Sequence, residues 1–261
     1  MRFDLYLCSQ KLSRSRSEAQ RLIRAGKASI NGVICSQCSR QIGEGDLVSV
    51  DRSECRYVSR GGLKLEGALA AFSVDPVGQV CMDIGASTGG FTDCLLQHGA
   101  KLVYAVENGH GQLDPTLCSN PRVVSYEGYH AKNLSSADFS ETVTLAVMDV
   151  SFISQTLLLP AVYRLLPPGG ALISLIKPQF EAGKRYIGAG GIVRSDAGRT
   201  YARQRVLDCA KTLGFTVSGI AESPILGGDG NIEYLAYFKK GDCSHESPET
   251  DLSDAKQAEG S

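Results

Sequence analysis

Apolar and basic residues alternate at helical spacing over the first 25 positions of the chain. They predict one short helix, and Ser15-Arg-Ser-Glu18 is a capping signal in front of a second one. Residues 27–33 then predict a strand that enters an Asn31-Gly32 turn, and residues 43–50 predict a closing strand. The pattern indicates a small α+β module at the start of the chain.

From Gln79 onward, short apolar runs alternate with longer amphipathic ones. This alternation predicts an α/β fold with a parallel sheet that is covered by helices on both faces. The last two strands, joined by a Gly-rich loop, predict an antiparallel hairpin at the sheet edge. The predicted strands are 80–84, 101–106, 122–125, 143–148, 171–176, 216–220 and 232–238, and the predicted helices are 90–98, 153–165 and 196–213.

Composition is that of an ordinary globular protein, since 261 residues with 43% apolar and 21% charged positions can bury a core and add one small domain. No stretch approaches the roughly 18 uncharged apolar residues of a membrane span. The N-terminus carries Asp4 where a signal peptide needs an apolar core. Nine scattered cysteines indicate reduced thiols, and we expect a cytoplasmic protein. Cys35-Ser-Gln-Cys38 is either half a zinc site or a structural pair.

The net charge of −1 hides three regions of different character. Residues 1–58 carry ten Lys and Arg against six Asp and Glu, residues 59–241 carry sixteen against sixteen, and residues 242–261 carry one against six. Cations that crowd the second helix and its exit form either a solvated face or a set of phosphate contacts. These cations are Arg14, Arg16, Arg21, Arg24 and Lys27.

These patterns divide the chain into four parts. Residues 1–58 are predicted to form a small domain whose basic helix is a candidate for binding RNA, and residues 59–78 a linker with the first helix of the larger domain. Residues 79–240 are predicted to form the larger α/β domain itself. Residues 241–261 lack apolar periodicity and predict an acidic, disordered tail.

A glycine-rich turn follows the first predicted strand of the larger domain, at Asp83-Ile-Gly85-Ala-Ser87-Thr88-Gly89-Gly90-Phe91. Glycines at such a turn allow the backbone to approach a ligand at a helix N-terminus. Glu107 ends the next strand, where an acidic side chain binds ribose hydroxyls in dinucleotide-type folds. The turn and Glu107 together predict a nucleotide-like cofactor.

Three ligands compete for this turn. A dinucleotide favours glycine at position 87, where this chain has serine. S-adenosylmethionine suits the turn better, because Asp83 can pair with its methionine ammonium group. A hydrolase elbow at Gly85-Ala-Ser87-Thr-Gly89 would need a histidine after its acid, and the histidine that follows Asp149 lies in the acidic tail. S-adenosylmethionine is therefore the predicted cofactor.

Two charged residues end apolar strands on the side where α/β sheets bind their ligands. Asp149 lies in Met148-Asp-Val-Ser-Phe-Ile-Ser154, and Lys177 lies in Leu175-Ile-Lys-Pro-Gln-Phe-Glu181. Each is either a solvated strand end or a functional group. Because each interrupts an otherwise apolar run, we expect function for the two together.

Several blocks of the sequence resemble one family, the TlyA-type, haemolysin-like ribosomal RNA 2′-O-methyltransferases. The resemblance covers residues 1 to about 240. Its most specific blocks are residues 57–65, 83–91, 111–113, 148–154, 177–181 and 228–233.

The resemblance implies a Rossmann-like methyltransferase sheet with an N-terminal α+β RNA-binding domain. It implies that Lys64, Asp149, Lys177 and Glu233 surround the target hydroxyl and that Arg60 helps to bind RNA. Relatives usually carry Asp-Val-Gly where this chain has Glu107-Asn-Gly. The resemblance further implies a cytidine as target, and the short N-terminus is similar to the subtype that modifies only large-subunit RNA.

The chemistry agrees with this resemblance, since a ribose hydroxyl must lose its proton and align with the methyl donor. Lys177 is the expected base, with Lys64 favouring its neutral form. The two carboxylates oppose that shift, so the sequence does not decide which of the four residues takes the proton. Neither the reaction nor the sequence calls for a metal. The alternative functions are a membrane-acting haemolysin and a ribosome-binding protein without catalysis. Ribosomal subunits are the expected partners, and the oligomeric state stays open.

Overall fold

The structure is a computed structural model that describes residues 1–13, 15–51 and 56–241, apart from the side chain of Arg21. The prediction that Arg14 contacts RNA lies outside the described residues, as does the predicted tail beyond Gly241. The chain divides into two compact units between Tyr57 and Val58. Each unit is described by itself below.

The N-terminal unit packs two short helices on a small antiparallel sheet. Its sheet has the order β2-β1-β3, and Asn31 and Gly32 at the β1–β2 turn both have positive φ, as type I′ turns require. Phe3, Leu7 and Ile23 are the largest completely buried side chains of its core. The elements are α1 (Phe3–Ser9), α2 (Arg16–Arg24), β1 (Ala28–Ile30), β2 (Val33–Ile34) and β3 (Val48–Val50).

The second unit, which begins at Val58 and is called the catalytic unit below, alternates strands and helices, as the periodicity predicts. Its strands are β4 (Val80–Ile84), β5 (Leu102–Glu107), β6 (Val123–Glu127), β7 (Leu145–Met148), β8 (Ala171–Ile176), β9 (Phe215–Glu222) and β10 (Tyr234–Lys240). Its helices are α3 (Gly61–Phe72), α4 (Gly90–Gln97), α5 (Pro115–Cys118), α6 (Leu159–Leu165), α7 (Pro178–Glu181) and α8 (Asp196–Thr212).

The seven strands form one sheet in the order β6-β5-β4-β7-β8-β10-β9. The first five are parallel, and β10 runs antiparallel between β8 and β9. The parallel sheet and the C-terminal hairpin at its edge are thus confirmed. β4 is buried along its whole length, which explains why it reads as a continuous apolar run.

Two details differ from the sequence prediction. The helix expected from 153 starts only at Leu159, after a short 3-10 turn over Gln155–Leu157. Pro160 occupies the first turn of that helix, where its missing N–H costs nothing. The four-residue helices α5 and α7 were not predicted, because they are too short to show a helical period. Among the helices that the structure describes, none is long and apolar enough to cross a membrane.

Candidate active site

Strand register brings three of the four predicted catalytic residues to one edge of the sheet. Ile84 pairs with Met148, and Met148 with Ser174, so β4, β7 and β8 end side by side. Tyr234 pairs with Ile176 in the antiparallel strand β10. Asp149 and Lys177 therefore follow adjacent strand ends, while Glu233 precedes the strand that starts next to Lys177.

Lys64 joins this edge from helix α3 through an ion pair with Glu233. The Lys64 ammonium donates to Glu233 Oε2 at 2.5 Å, and both side chains are buried. Gly227 covers the carboxylate closely, because a Cβ atom at that position would lie 2.5 Å from Glu233 Oε1. The pair is therefore fixed by the 224–233 loop as well as by its own attraction.

Lys177 forms the second ion pair of the site. Its ammonium lies 2.6 Å from Asp149 Oδ1 and donates a hydrogen bond of 2.9 Å to Ser151 Oγ. The contact with Asp149 is close in distance without being aligned as a hydrogen bond. The two lysine side chains are almost equally buried, and the pairs differ in the carboxylate, since the Asp149 side chain is 21% exposed and that of Glu233 is 3% exposed. The four predicted residues thus form two ion pairs at this edge of the sheet.

A buried carboxylate that sequence reasoning missed connects the two segments carrying Asp149 and Lys177. Glu181 accepts hydrogen bonds from the Ser154 hydroxyl at 2.6 Å and from the backbone N–H of Gln155 at 2.7 Å. Burial raises the pKa of Glu181. The network fixes the loop after β7 against the helix after β8, and Glu181 was visible in the sequence only as the end of a quoted block.

A cavity of about 730 Å³ lies at the carboxyl ends of the parallel strands. Three of the eight residues predicted to bind the cofactor line it, namely Gly85, Ser87 and Glu107. Asp149 and Ser151 line it too, so the cavity reaches the Lys177–Asp149 pair. Four further polar residues line the cavity without having been predicted to bind the cofactor, although Asn108 and Gln112 lie in stretches that the resemblance had pointed to. They are Asn108, Gln112, His130 and Lys132.

The glycine turn is required mainly by packing within the protein. Gly85 and Gly89 have φ of +84° and +92°. A Cβ atom on Gly85 would lie 2.6 Å from the Asp149 carbonyl oxygen, and one on Gly89 would lie 2.2 Å from Leu117 Cδ1. Gly89 and its neighbours Thr88, Gly90 and Phe91 are not among the residues that line the cavity. Their contact with the cofactor stays a prediction.

Asp83 lies beneath the turn rather than on the cavity wall. Its Oδ2 atom accepts hydrogen bonds from the Thr92 amide at 2.9 Å and from the Thr92 hydroxyl at 2.7 Å. The carboxyl group is almost completely buried, and its Oδ1 atom is without a partner among the described residues. Burial raises the pKa of Asp83 to about 7. Asp83 therefore anchors the first turn of α4, and its pairing with the donor ammonium remains a prediction.

Glu107 holds the other side of the turn. Its two carboxylate oxygens accept hydrogen bonds from the amides of Ser87 at 2.9 Å and Gly109 at 2.8 Å. A carboxylate has about four lone-pair sites, so two acceptor positions remain for ribose hydroxyls.

The cavity fits S-adenosylmethionine in size and in chemistry. Its volume is within the range of about 300–1,000 Å³ that is typical of cofactor sites. Glu107 offers acceptors for ribose hydroxyls, and the unpartnered Oδ1 of Asp83 offers a buried acceptor near the turn. The end of the cavity at Asp149 and Ser151 lies beside Lys177. A methyl donor held there would reach the predicted catalytic group.

The predicted RNA contacts of the N-terminal unit differ in their surroundings. The Arg16 guanidinium donates to the completely buried Asp4 at 3.0 Å, so it contributes to the fold as well as to the surface. Asp4 also accepts hydrogen bonds from Arg2 and Gln20. The hydrogen bond from Arg2 has the largest effect, and together these bonds hold the pKa of Asp4 well below its usual range.

Arg24 is exposed at the end of α2, and Lys27 lies 3.5 Å from Asp51. In the catalytic unit, the exposed Arg60 donates to the Leu226 carbonyl oxygen at 3.4 Å, on the loop that covers Glu233. Cys35 and Cys38 pack against the core of the N-terminal unit. No group of three metal-binding side chains occurs in the part of the chain that the structure describes.

Phe152 is the most unusual residue of the cavity. It is 92% exposed and has φ of +63°, which is rare for a bulky side chain. Its ring lies 5.3 Å from that of Phe180. Sequence reasoning did not single it out, because an aromatic residue in an apolar block is expected in the core.

Comparison with known proteins gives two family matches along the chain. Residues 57–240 match the FtsJ-like methyltransferases, and residues 1–48 match the S4 domain. Hemolysin A of Brachyspira hyodysenteriae is 43% identical over 243 residues, covering 91% of this chain and 99% of that protein. The 16S/23S rRNA (cytidine-2′-O)-methyltransferase TlyA of Mycobacterium tuberculosis is 40% identical over 239 residues, covering 91% and 89%.

A solved structure of a Streptococcus thermophilus protein that carries a hemolysin name is also similar. It is 44% identical, superposes with a TM-score of 0.76, and the match covers 93% of this chain and 89% of that one. The whole described architecture therefore has an experimental counterpart.

Proposed function

This chain belongs to the TlyA-type branch of the FtsJ-like methyltransferases, and from that premise we propose that it methylates the 2′-hydroxyl of a cytidine ribose in ribosomal RNA. S-adenosylmethionine is the methyl donor. The observation that supports this function most strongly is the ion pair of Lys177 with Asp149, a residue that lines the cofactor-sized cavity, at the same edge of the sheet as the Lys64–Glu233 pair.

S-adenosylmethionine supplies a methyl group that is already activated by a sulfonium charge. Glu107 would hold its ribose hydroxyls and the turn at Gly85 and Ser87 would flank it, since these three residues line the cavity. Asp83 would act from beneath the turn through its unpartnered Oδ1. These side chains bind and orient the donor, and none of them takes part in proton transfer.

Lys177 is the proposed base. Lys177 would accept the proton of the ribose hydroxyl whose oxygen takes the methyl group, and to do so its ammonium must first release a proton to solvent. Asp149 and Ser151 position that amine through the contacts of 2.6 and 2.9 Å. The ammonium formed in the step is then stabilised by Asp149. Lys64 and Glu233 provide a fixed, buried pair beside it.

Phe152 suits the substrate in a different way. Sequence-specific RNA recognition uses unstacked bases that lie on aromatic side chains. Phe152 is exposed, lines the cavity next to Ser151 and is supported by Phe180. We place the target cytosine, or a base next to it, against this ring.

The substrate RNA is proposed to be that of the large subunit. The name of a Campylobacter jejuni relative, 30% identical to this chain, gives the large-subunit 23S RNA alone, whereas that of the mycobacterial relative gives both 16S and 23S RNA, so 23S RNA is common to the two. Ribosomal RNA, ribosomal subunits and S-adenosylmethionine all occur in the cytoplasm, where we place the protein.

The test is methyl transfer by the purified protein from labelled donor to separate small and large ribosomal subunits, followed by mapping of 2′-O-methyl sites. We expect one cytidine of the large subunit to be modified. Methylation of a base, or no transfer to either subunit, would contradict the proposal. A parallel liposome leakage assay tests the membrane-acting alternative. Leakage at the same protein concentration would support that alternative.

A further inference from the structure

Charge is distributed unevenly over the catalytic unit. Residues 59–241 carry sixteen Lys and Arg and sixteen Asp and Glu, yet residues 183–205 hold six of these cations and one of these acids. The remainder of the unit is therefore acidic, with ten cations against fifteen acids. A region that looks neutral as a whole contains a strongly basic segment.

Three cations of this segment are available to a partner. Lys184, Arg185 and Arg194 are exposed, and no described carboxylate lies within ion-pair distance of them. The other three are engaged. Arg199 pairs with Asp196, Arg203 lies over the ring of Tyr234, and Arg205 lies 3.7 Å from Glu181.

Contacts within the protein order the Arg185 side chain and the backbone before Arg194. The Arg185 guanidinium lies 4.6 Å from the ring centre of Tyr186 and 5.2 Å from that of Tyr201. The loop before Arg194 is fixed by the buried Asn231, whose side chain accepts from the Val193 amide at 2.9 Å and donates to the Gly191 carbonyl at 3.1 Å. A surface that is ordered before binding loses less conformational entropy when a ligand arrives.

The same contacts place the cations near the catalytic residues. Asn231 is two positions before Glu233, and Lys184 follows Lys177 by seven positions through the short helix α7. Residues 184–194 are therefore connected to the carboxyl edge of the sheet at both ends, through α7 to Lys177 and through Asn231 to the segment that carries Glu233.

We propose that Lys184, Arg185 and Arg194 form a second basic surface, which binds phosphates of the ribosomal RNA close to the target nucleotide. The proposal deepens the proposed function and rests on it. An anionic membrane would satisfy the charges equally well. The connection of this basic surface to the segments that carry Lys177 and Glu233 favours the substrate RNA strand instead. The surface acts in addition to the N-terminal unit, because it belongs to the catalytic unit itself.

The test compares two variants with the same change in charge. One is Lys184→Glu/Arg185→Glu/Arg194→Glu. The control is Arg164→Glu/Lys211→Glu/Lys239→Glu, at exposed positions near the opposite edge of the sheet, where Lys239 pairs with the first residue of β8. RNA affinity at several salt concentrations, donor affinity, thermal melting and methyl transfer are measured for both.

For the first variant we expect RNA affinity to fall at least about tenfold more than for the control. Each lost phosphate contact should reduce the salt slope by roughly 0.7–0.9, so the slope should fall by about 2 to 3. Donor affinity should stay unchanged. Because the Arg185 stack contributes to the fold, Lys184→Glu/Arg194→Glu serves as a second variant, for which a slope reduction of about 1.4–1.8 is expected.

Equal RNA affinity of the first variant and the control would overturn the proposal, as would a loss of binding to anionic vesicles but not to RNA. Failure of the proposed function looks different. In that case the wild-type protein transfers no methyl group to ribosomal RNA, whatever the second basic surface binds.

Discussion

Lys64 and Glu233, 169 positions apart in the chain, form a buried ion pair with 2.5 Å between Nζ and Oε2. Removing one partner of such a pair leaves an uncompensated buried charge, at a typical cost of about 3–5 kcal/mol. Lys64→Met and Glu233→Leu should each lower the free energy of unfolding by about that amount. The double variant should lose much less than the sum, as measured by chemical denaturation. Additive losses would show that the two charges are not coupled.

Replacement of Lys177 tests the proton transfer. Lys177→Ala should reduce single-turnover methyl transfer by about 10²- to 10⁴-fold without changing donor affinity. Lys177→Arg should be nearly as damaging, since a guanidinium stays protonated and cannot act as a base. The exposed Lys211 gives a control, as Lys211→Ala should transfer at the wild-type rate. Partial activity of Lys177→Arg would indicate an electrostatic role instead.

Gly85→Ala should disturb donor binding and catalysis together. The new Cβ would meet the Asp149 carbonyl oxygen at 2.6 Å and would also require an unfavourable φ of +84°. Gly78→Ala is the matched control, because φ there is +70° and nothing lies within 4 Å of the added atom. Both variants should lose about 1–3 kcal/mol of stability from backbone strain. Calorimetry should show weakened donor affinity for Gly85→Ala alone, and equal affinities would contradict this.

The buried Asp83 predicts a pH dependence of stability. Burial raises its pKa from the ordinary value near 3.8 to about 7, so the folded protein keeps a proton that the unfolded chain releases between about pH 4 and 7. The contribution of the protonated Asp83 carboxyl to the free energy of unfolding is therefore complete below pH 4 and is lost as the pH rises through 7. Asp83→Asn carries no such titration. The difference in unfolding free energy between wild type and variant should shift in favour of the variant by several kcal/mol across this window, and a constant difference would disprove the raised pKa.

Two arginines on α2 should respond differently to charge reversal. Arg16→Glu places a carboxylate beside the buried Asp4 and should lower the melting temperature. Arg24→Glu, at an exposed position, should leave the melting temperature unchanged and reduce the salt slope of RNA binding by roughly 0.7–0.9. Unchanged RNA binding of Arg24→Glu would mean that this helix end does not touch the substrate.

The sequence was sufficient to predict the sheet and the four residues at its edge. Apolar runs such as 80–84 and 171–176 are buried strands, and their periodicity is a direct result of that burial. Asp149 and Lys177 were visible because each breaks such a run. Lys64 and Glu233 came from the resemblance alone, since no local pattern relates two residues that meet only in the folded protein.

What the sequence did not show depends on which neighbours the fold supplies. Asp83 was expected to face the ligand, but the strand that carries it places its carboxyl against Thr92. Gly89 was explained by ligand approach, whereas Leu117 occupies that space. The basic segment 183–205 was hidden by averaging over a neutral domain, and Arg16 gave no sign of its bond to Asp4.

The antiparallel insertion of β10 has a consequence for how the enzyme is made. β9 precedes β10 in the chain, yet in the described sheet it is bonded to β10 alone, so it gains a neighbour only when the final strand has left the ribosome. Glu233 arrives with that strand. The predicted catalytic set of Lys64, Asp149, Lys177 and Glu233 is therefore complete only after synthesis has passed the start of β10.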